Sequence, residues 1–335
     1  MQKYYRFLHG DESVRKNSSS GGAFTAISDY VLDMGGVVYG CITDESLNVK
    51  HIRVTSREER DKMRGSKYVQ SDIRKVFLQI KKDLVCGKFV LLTGTPCQNF
   101  AVLKYLSSSK ICTDRLVTLE LICHGVGSKL FLADYIHNLE VKYGGKAKSV
   151  NFRAKHRKGQ KQDMEVLFDN KKRYNSPTTR YDWFYSVYLK NLILRPSCYE
   201  CPFATKERFS DLTIADHWGH KDEDAYSLIV SNTPTGDDII KTIILNQKNE
   251  AKEISECEVR QPHMIHPCDR PDKRDEFWNI YHNYGYSDVQ KWIGNNTFCG
   301  KMKSGLARVA YDIHIAQLIK HLCKIMRKKI YKKGD

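Results

Sequence analysis

The stretch FVLLTGTPCQNFAVLKYL, residues 89–106, decides the fold. It opens on an apolar run of strand type, breaks at Gly94-Thr95-Pro96-Cys97, and resumes with apolar residues at helical spacing. A buried strand running through a loop into a helix is the unit of an α/β sheet. The same grammar returns in LVTLELICHGVGSKLFLADYIHNLEVKYGG, residues 116–145. Ligands of open α/β sheets collect at loops beyond the carboxyl ends of strands. Cys97 and Cys123 both sit on such loops.

Working outward, SSSGGAFTAISDYVLDMGG (18–36) reads as a helix, with Ser18 to Ser20 as caps and Gly35-Gly36 as the stop. VVYGCITD and NVKHIRVTS follow as strands, and residues 57–88 as two helices interrupted near Gly65. Downstream, the segments around 148–174 read as strands joined by a basic turn. RYDWFYSVYLKNLIL (180–194) reads as a helix leading into the cysteine-rich stretch RPSCYECP. DLTIADHW and AYSLIVSNT read as strands. The expected architecture is α/β (mixed α+β): a central mixed sheet with flanking helices, a loop-rich cysteine region and a C-terminal helical tail. Three units are expected: a ligand-binding domain over 1–248, an irregular extension over 249–300, and a basic amphipathic tail over 301–335.

Composition narrows the class. The chain has 335 residues, 41% of them apolar, enough for a sizeable core. No run of about 18 apolar residues is present, and MQKYYRFLHGDESVRK lacks an apolar signal core, so a cytoplasmic protein is expected. Eleven cysteines in a reducing compartment point to metal ligation or plain burial rather than a disulfide framework. The net charge is +16, and the last 35 residues supply half of it, with ten Lys/Arg against two Asp. In the tail, Leu306, Val309, Ile313, Ala316, Ile319, Leu322 and Met326 recur at helical spacing. Such a helix either packs on the core or docks its basic end on an anionic surface, an acidic electron-carrier protein or a membrane leaflet, the last giving a cytoplasmic protein peripheral to the membrane. No recognition motif or interleaved aromatic platform supports nucleic-acid binding.

Four cysteines share Gly/Pro-rich loops: Cys97 in TGTPCQ, Cys123 in ICHGVGS, and Cys198 with Cys201 in RPSCYECP. Tight loops let backbone N–H groups face sulfur. Cys-x-x-Cys also serves a structural zinc, a thiol-exchange pair, or nothing. Cys123-His124 as nucleophile and base is disfavoured, because adjacent side chains rarely face each other. Cys41, Cys86, Cys112, Cys257, Cys268, Cys299 and Cys323 lack paired spacing and read mostly as buried small hydrophobes.

The segments SSSGGAFTAISDYVLDMGGVVYG, MRGSKYVQSDI, GKFVLLTGTPCQ, LELICHGVGS, VNFRAK, LRPSCYECPF and RFSDLTIADHWG occur in one order. Together they resemble the coenzyme F420 hydrogenase/dehydrogenase beta-subunit family over roughly residues 6–233. The resemblance implies an iron–sulfur flavoprotein oxidoreductase that passes electrons between a flavin, FAD or FMN, and a four-iron cluster. It implies Cys97, Cys123, Cys198 and Cys201 as cluster ligands. It implies Ser20, Gly21, Gly22, Ser66, Lys67, Tyr68, Gly94, Thr95 and Pro96 as the lining of the flavin pocket. Lys67 is implied as the catalytic cation, neutralising a phosphate or a reduced, anionic flavin. Read from its neighbours alone, Lys67 is an exposed helix-end lysine.

Use of the deazaflavin F420 does not follow, because that coenzyme belongs to certain lineages; relatives without it sit in surface-polysaccharide pathways. Many relatives begin with a ferredoxin-like region. Here the matching part begins almost at Met1, so a separate electron-carrier protein such as a ferredoxin is the implied partner. Gly127 stands where the family pattern has proline, and Ala215 where it has glycine. These changes are expected to loosen the loop and narrow the space beside it. The alternative reading is a non-catalytic, zinc-stabilised scaffold module of a biosynthetic complex.

Overall fold

The computed structural model describes residues 2–155, 163–176, 182–218, 225–245 and 249–293. In chain order the elements are β1 (Lys3–Leu8), α1 (Glu12–Lys16), α2 (Ala23–Asp33), β2 (Val37–Thr43), β3 (Val49–Val54), α3 (Arg57–Asp61), α4 (Val76–Val85), β4 (Val90–Gly94), α5 (Pro96–Ser108), β5 (Leu116–Leu121) and α6 (Lys129–Tyr143). They continue with β6 (Ala147–Ala154), β7 (Asp163–Phe168), β8 (Arg173–Asn175), α7 (Trp183–Tyr188), β9 (Leu212–Asp216), β10 (Ser227–Ser231), α8 (Pro234–Leu245), β11 (Glu250–Ile254), α9 (Arg274–Tyr284) and α10 (Tyr286–Ile293).

Among the described residues, eight strands form a mixed sheet in the order β11-β1-β10-β9-β5-β4-β2-β3. The central four, β2, β4, β5 and β9, are parallel, and the outer pairings are antiparallel. Every residue of β4 is buried, as a parallel strand covered on both faces requires. One face packs against α2 and α8 through Ile27, Val31, Ile239 and Ile243. The other packs against α4 and α5 through Ile80, Leu84, Val102 and Leu106. Each such side chain contributes about 1.5–3 kcal/mol of burial free energy. A second, antiparallel sheet, β6-β7-β8, packs with α6, α7 and α9 around Phe131, Phe152, Phe184 and Phe277.

The expected mixed architecture is present, with four local differences. The serines do not cap α2; its cap is Gly22, whose φ of 89° is left-handed and which makes no side-chain capping bond. The helix read over 180–194 shrinks to α7, because Asn191 turns left-handed at φ 59° and the chain leaves the helix. Strand β1 and helix α8 went unread, since strongly polar neighbours hide their periodicity. The segment after 248 is not irregular: β11 pairs with β1, and α9 and α10 pack on the aromatic core. The tail over 301–335, including its amphipathic helix, lies outside the described residues.

Candidate metal and cofactor site

A cavity of about 480 Å³ opens at the carboxyl ends of β4, β5 and β9, within the roughly 300–1,000 Å³ typical of small-ligand sites. Cys97, Cys123, Cys198 and Cys201 all line it.

Local structure places each thiol. Pro96 opens α5 and Thr95 caps it, so Cys97 stands in the first turn of the helix. The Thr95 hydroxyl lies 3.1 Å from Cys97 Sγ. The loop after β5 is stitched to the segment before Cys198. Arg195 N–H donates to Val126 O at 2.9 Å, and Ser128 N–H to Ile193 O at 2.9 Å. Gly125 permits the approach: at φ +127°, an added Cβ would meet Leu194 at 3.0 Å and Cys198 Cβ at 3.3 Å. Cys198 then closes a 3-10 turn, Pro196–Cys198. This bridge explains how positions 75 residues apart come to share one cavity.

Withdrawal from water pushes the Cys123 thiol far above its ordinary range, and the nearby Cys97, Cys198 and Cys201 push it further. The Gly125 N–H hydrogen-bonds Cys123 and pulls the other way. Cys198 is likewise raised by burial and by Cys201 and Cys97, while the Val126 N–H opposes the shift. Thiols so placed hold their protons until a cation displaces them, and the loop amides are set to meet the resulting negative sulfur. Among the described residues, His124, His263 and Cys268 bring three further ligand atoms within 4.8 Å of one another.

Of the expected pocket residues, Ser20, Gly22, Ser66, Lys67, Tyr68, Gly94, Thr95 and Pro96 line the cavity, and Gly21 does not. Gly21 packs against backbone instead: a Cβ there would sit 2.3 Å from Phe7 O and 2.6 Å from Ser227 N. The serine turns are joined, with Ser19 Oγ 2.9 Å from Ser66 Oγ and accepting from Ser66 N–H at 2.9 Å. Lys67 is not a free helix-end lysine. Its Nζ donates to the carbonyls of Met63, Arg64 and Gly65 at 2.8, 3.0 and 3.1 Å, and burial lowers its pKa. These three carbonyls occupy the ammonium hydrogens and hold the side chain in the wall. Tyr68 packs edge-on against Phe152 and Tyr185 and tilted against Tyr188.

The expected loosening at Gly127 is not found, because its N–H donates to Tyr68 O at 2.9 Å, a bond that proline would forfeit. Of the cysteines expected to be buried, Cys86, Cys112 and Cys257 are exposed; Cys299 and Cys323 lie outside the described residues. Cys41 and Cys268 line the cavity.

Sequence reading missed two networks in the cavity wall. His51 Nε2–H donates to Thr93 O at 2.8 Å, Ser71 Oγ lies 2.9 Å from His51 Nδ1, and Gln98 Nε2 donates to Ser71 Oγ at 2.8 Å. Burial lowers the His51 pKa to about 4, so the ring is neutral. The second is the ion pair of Arg208 with Glu120, 3.2 Å apart and almost wholly buried. Arg208 Nη1 also reaches Phe203 O, beside the Cys198–Cys201 loop, while its Nε and Nη2 have no hydrogen-bond partner. Arg208 lies within a quoted motif, but its partner is 88 residues away, and no local signal announces it.

A doubly flanked α/β sheet with four thiols and serine–glycine turns around one cavity has the layout of a ligand-binding α/β protein. Its membership is more particular. The N-terminal model of the coenzyme F420 hydrogenase/dehydrogenase beta subunit matches residues 6–77, and the C-terminal model matches residues 87–257. The chain belongs to that family of oxidoreductase subunits. A chain of the F420-reducing NiFe hydrogenase complex from Methanosarcina barkeri matches with a TM-score of 0.52 at 19% identity, over 76% of this chain and 82% of that one. At that identity the likeness is one of fold. No curated protein matches by sequence.

Proposed function

We propose that this protein is an iron–sulfur flavoprotein subunit. The four-iron cluster would be held by Cys97, Cys123, Cys198 and Cys201, and a flavin, FAD or FMN, would lie against the Ser20–Gly22 turn, residues 64–71 and Gly94–Pro96. The observation that carries the reading is the thiol geometry. The first turn of α5, the loop after β5 and the Cys198–Cys201 turn bring four cysteines to one cavity, with amides of Gly125 and Val126 on two of the sulfurs. A single zinc ion also binds four thiolates; the metal content of the purified protein separates the two readings.

When bound, the flavin exchanges an electron pair and the cluster passes single electrons. The chain's own part is to bind, orient and tune. Lys67 would set a positive charge in the wall that favours a reduced, anionic ring, and that flavin charge would in turn offset the burial that lowers the Lys67 pKa. The partner is a separate electron carrier of ferredoxin type, and F420 or another hydride carrier is the second substrate. No observation supports a surface-polysaccharide role. No helix among the described residues is long and apolar enough to cross a membrane; docking of the basic tail on a membrane surface stays a proposal for residues 301–335.

Purification without air tests the reading. Iron, acid-labile sulfide and released flavin are measured on wild type and Cys198→Ser. Four iron atoms and one flavin per chain, with the iron lost in the variant, are expected. One zinc and no iron in wild type would sink the proposal.

A further inference from the structure

Beside the four-cysteine site, three residues that the proposed function does not use converge on one point. His124 Nδ1 lies 3.0 Å from His263 Nε2, and Cys268 Sγ lies 3.8 Å from both ring nitrogens of His263. The three ligand atoms lie within 4.8 Å of one another. They come from the loop after β5 and from the chain after β11, separated by 139 and 144 residues. A tetrahedral ion about 2.0–2.1 Å from nitrogen and about 2.3 Å from sulfur would set N···N near about 3.3 Å and N···S near about 3.6 Å. The observed N···N spacing is shorter and the N···S spacing longer than these values, so loading an ion requires rotation of the His263 and Cys268 side chains.

The surroundings orient the ligands. Asn191 Nδ2 donates to Asp269 O at 3.2 Å, which turns its Oδ1 toward His124 Nε2 at 2.9 Å. His124 Nε2 is therefore the protonated nitrogen, and Nδ1 presents its lone pair to His263. A ligating histidine held by its other N–H in this way is the usual outer-shell arrangement of metal sites. Asn191 holds this position from a left-handed backbone conformation, φ 59°, that asparagine tolerates better than most residues. Cys268 is buried, and its thiol donates to His124 O at 2.6 Å, so binding an ion would displace that proton and turn the sulfur from the carbonyl.

We propose that His124 Nδ1, His263 Nε2 and Cys268 Sγ form a mononuclear site for a divalent transition-metal ion. Two imidazoles and one thiolate are a borderline-soft set suited to zinc. All three residues line the main cavity, so the fourth position opens onto it and takes water or a small anionic ligand. The site goes beyond the iron–sulfur reading: His263 and Cys268 lie past residue 257, where the family match ends.

The test uses the full-length protein, purified without air, dialysed against a chelator and titrated with Co²⁺ alone. Wild type is expected to take up one equivalent with a thiolate-to-cobalt charge-transfer band and intense tetrahedral ligand-field bands. Cys268→Ser is expected to lose the charge-transfer band, and His263→Ala to bind at least tenfold more weakly, both keeping wild-type far-ultraviolet dichroism. Cys198→Ser is expected to keep the cobalt signal, which separates this site from the four-cysteine site whatever metal the latter holds. Cobalt-edge absorption should report two imidazoles and one sulfur. No cobalt uptake by wild type means a hydrogen-bonded triad that holds no ion, and overturns the proposal. So does an unchanged signal in Cys268→Ser, or a signal lost only in Cys198→Ser.

Discussion

Gly127 N–H donates to Tyr68 O at 2.9 Å, which ties the Cys123 loop to the 66–70 segment across the floor of the cavity. Gly127 is buried, so a lost donor there would leave the Tyr68 carbonyl without water. Gly127→Pro should therefore cost about 1–3 kcal/mol, the range for an unsatisfied buried polar group. Urea denaturation measures the cost, and iron retention should fall with it. Stability equal to wild type would show that the bond does not hold the loop.

Gly21 acts on the fold before it acts on any ligand. With a Cβ 2.3 Å from Phe7 O and 2.6 Å from Ser227 N, Gly21→Val must push β1 from β10. We expect a loss of about 2–4 kcal/mol or failure to fold, as overpacking against backbone produces. Thermal unfolding followed by circular dichroism decides it. A stable variant that has lost only its flavin would contradict this placement.

His51 should leave a signature in the pH dependence of stability. Its folded pKa of about 4 lies below the ordinary 6.5 because burial disfavours the imidazolium. Above pH 6.5 neither state binds the proton and the ring costs nothing. Between pH 6.5 and 4 the unfolded chain binds it first, so stability falls as pH falls; below about 4 the loss saturates. The full excursion is on the order of 3 kcal/mol. Replacing His51 by glutamine should flatten that part of the curve, read from denaturation midpoints at pH 7, 5.5 and 4. Parallel curves for variant and wild type would refute it.

Arg208 neutralises Glu120 in a nearly sealed setting, and the Glu120 pKa is already raised, first by burial. Arg208→Met should cost about 3–5 kcal/mol by leaving that carboxylate unpaired. The folded variant relieves this by protonating Glu120, binding a proton that the unfolded chain releases. Its deficit must therefore shrink as pH falls from 8 to 5. Denaturation midpoints at the two pH values test this, and an equal deficit at both would rule it out.

The sequence by itself determined the strand–loop–helix units around Cys97 and Cys123, the helix stop at Gly35, and the residue types of the cavity rim. Those features are local: period, turn chemistry and helix starts depend on neighbours within a few positions. Gly21 was expected in the flavin pocket, and its packing role was not legible because the atoms a side chain would strike belong to β1 and β10. Only the tertiary structure decided that β11 closes the sheet against β1, that Gly127 supports Tyr68, that Glu120 meets Arg208, and that His124 meets His263 and Cys268. Such pairings span tens to more than a hundred positions. They carry no local period, and their ordering entropy is offset only when the whole core closes at once.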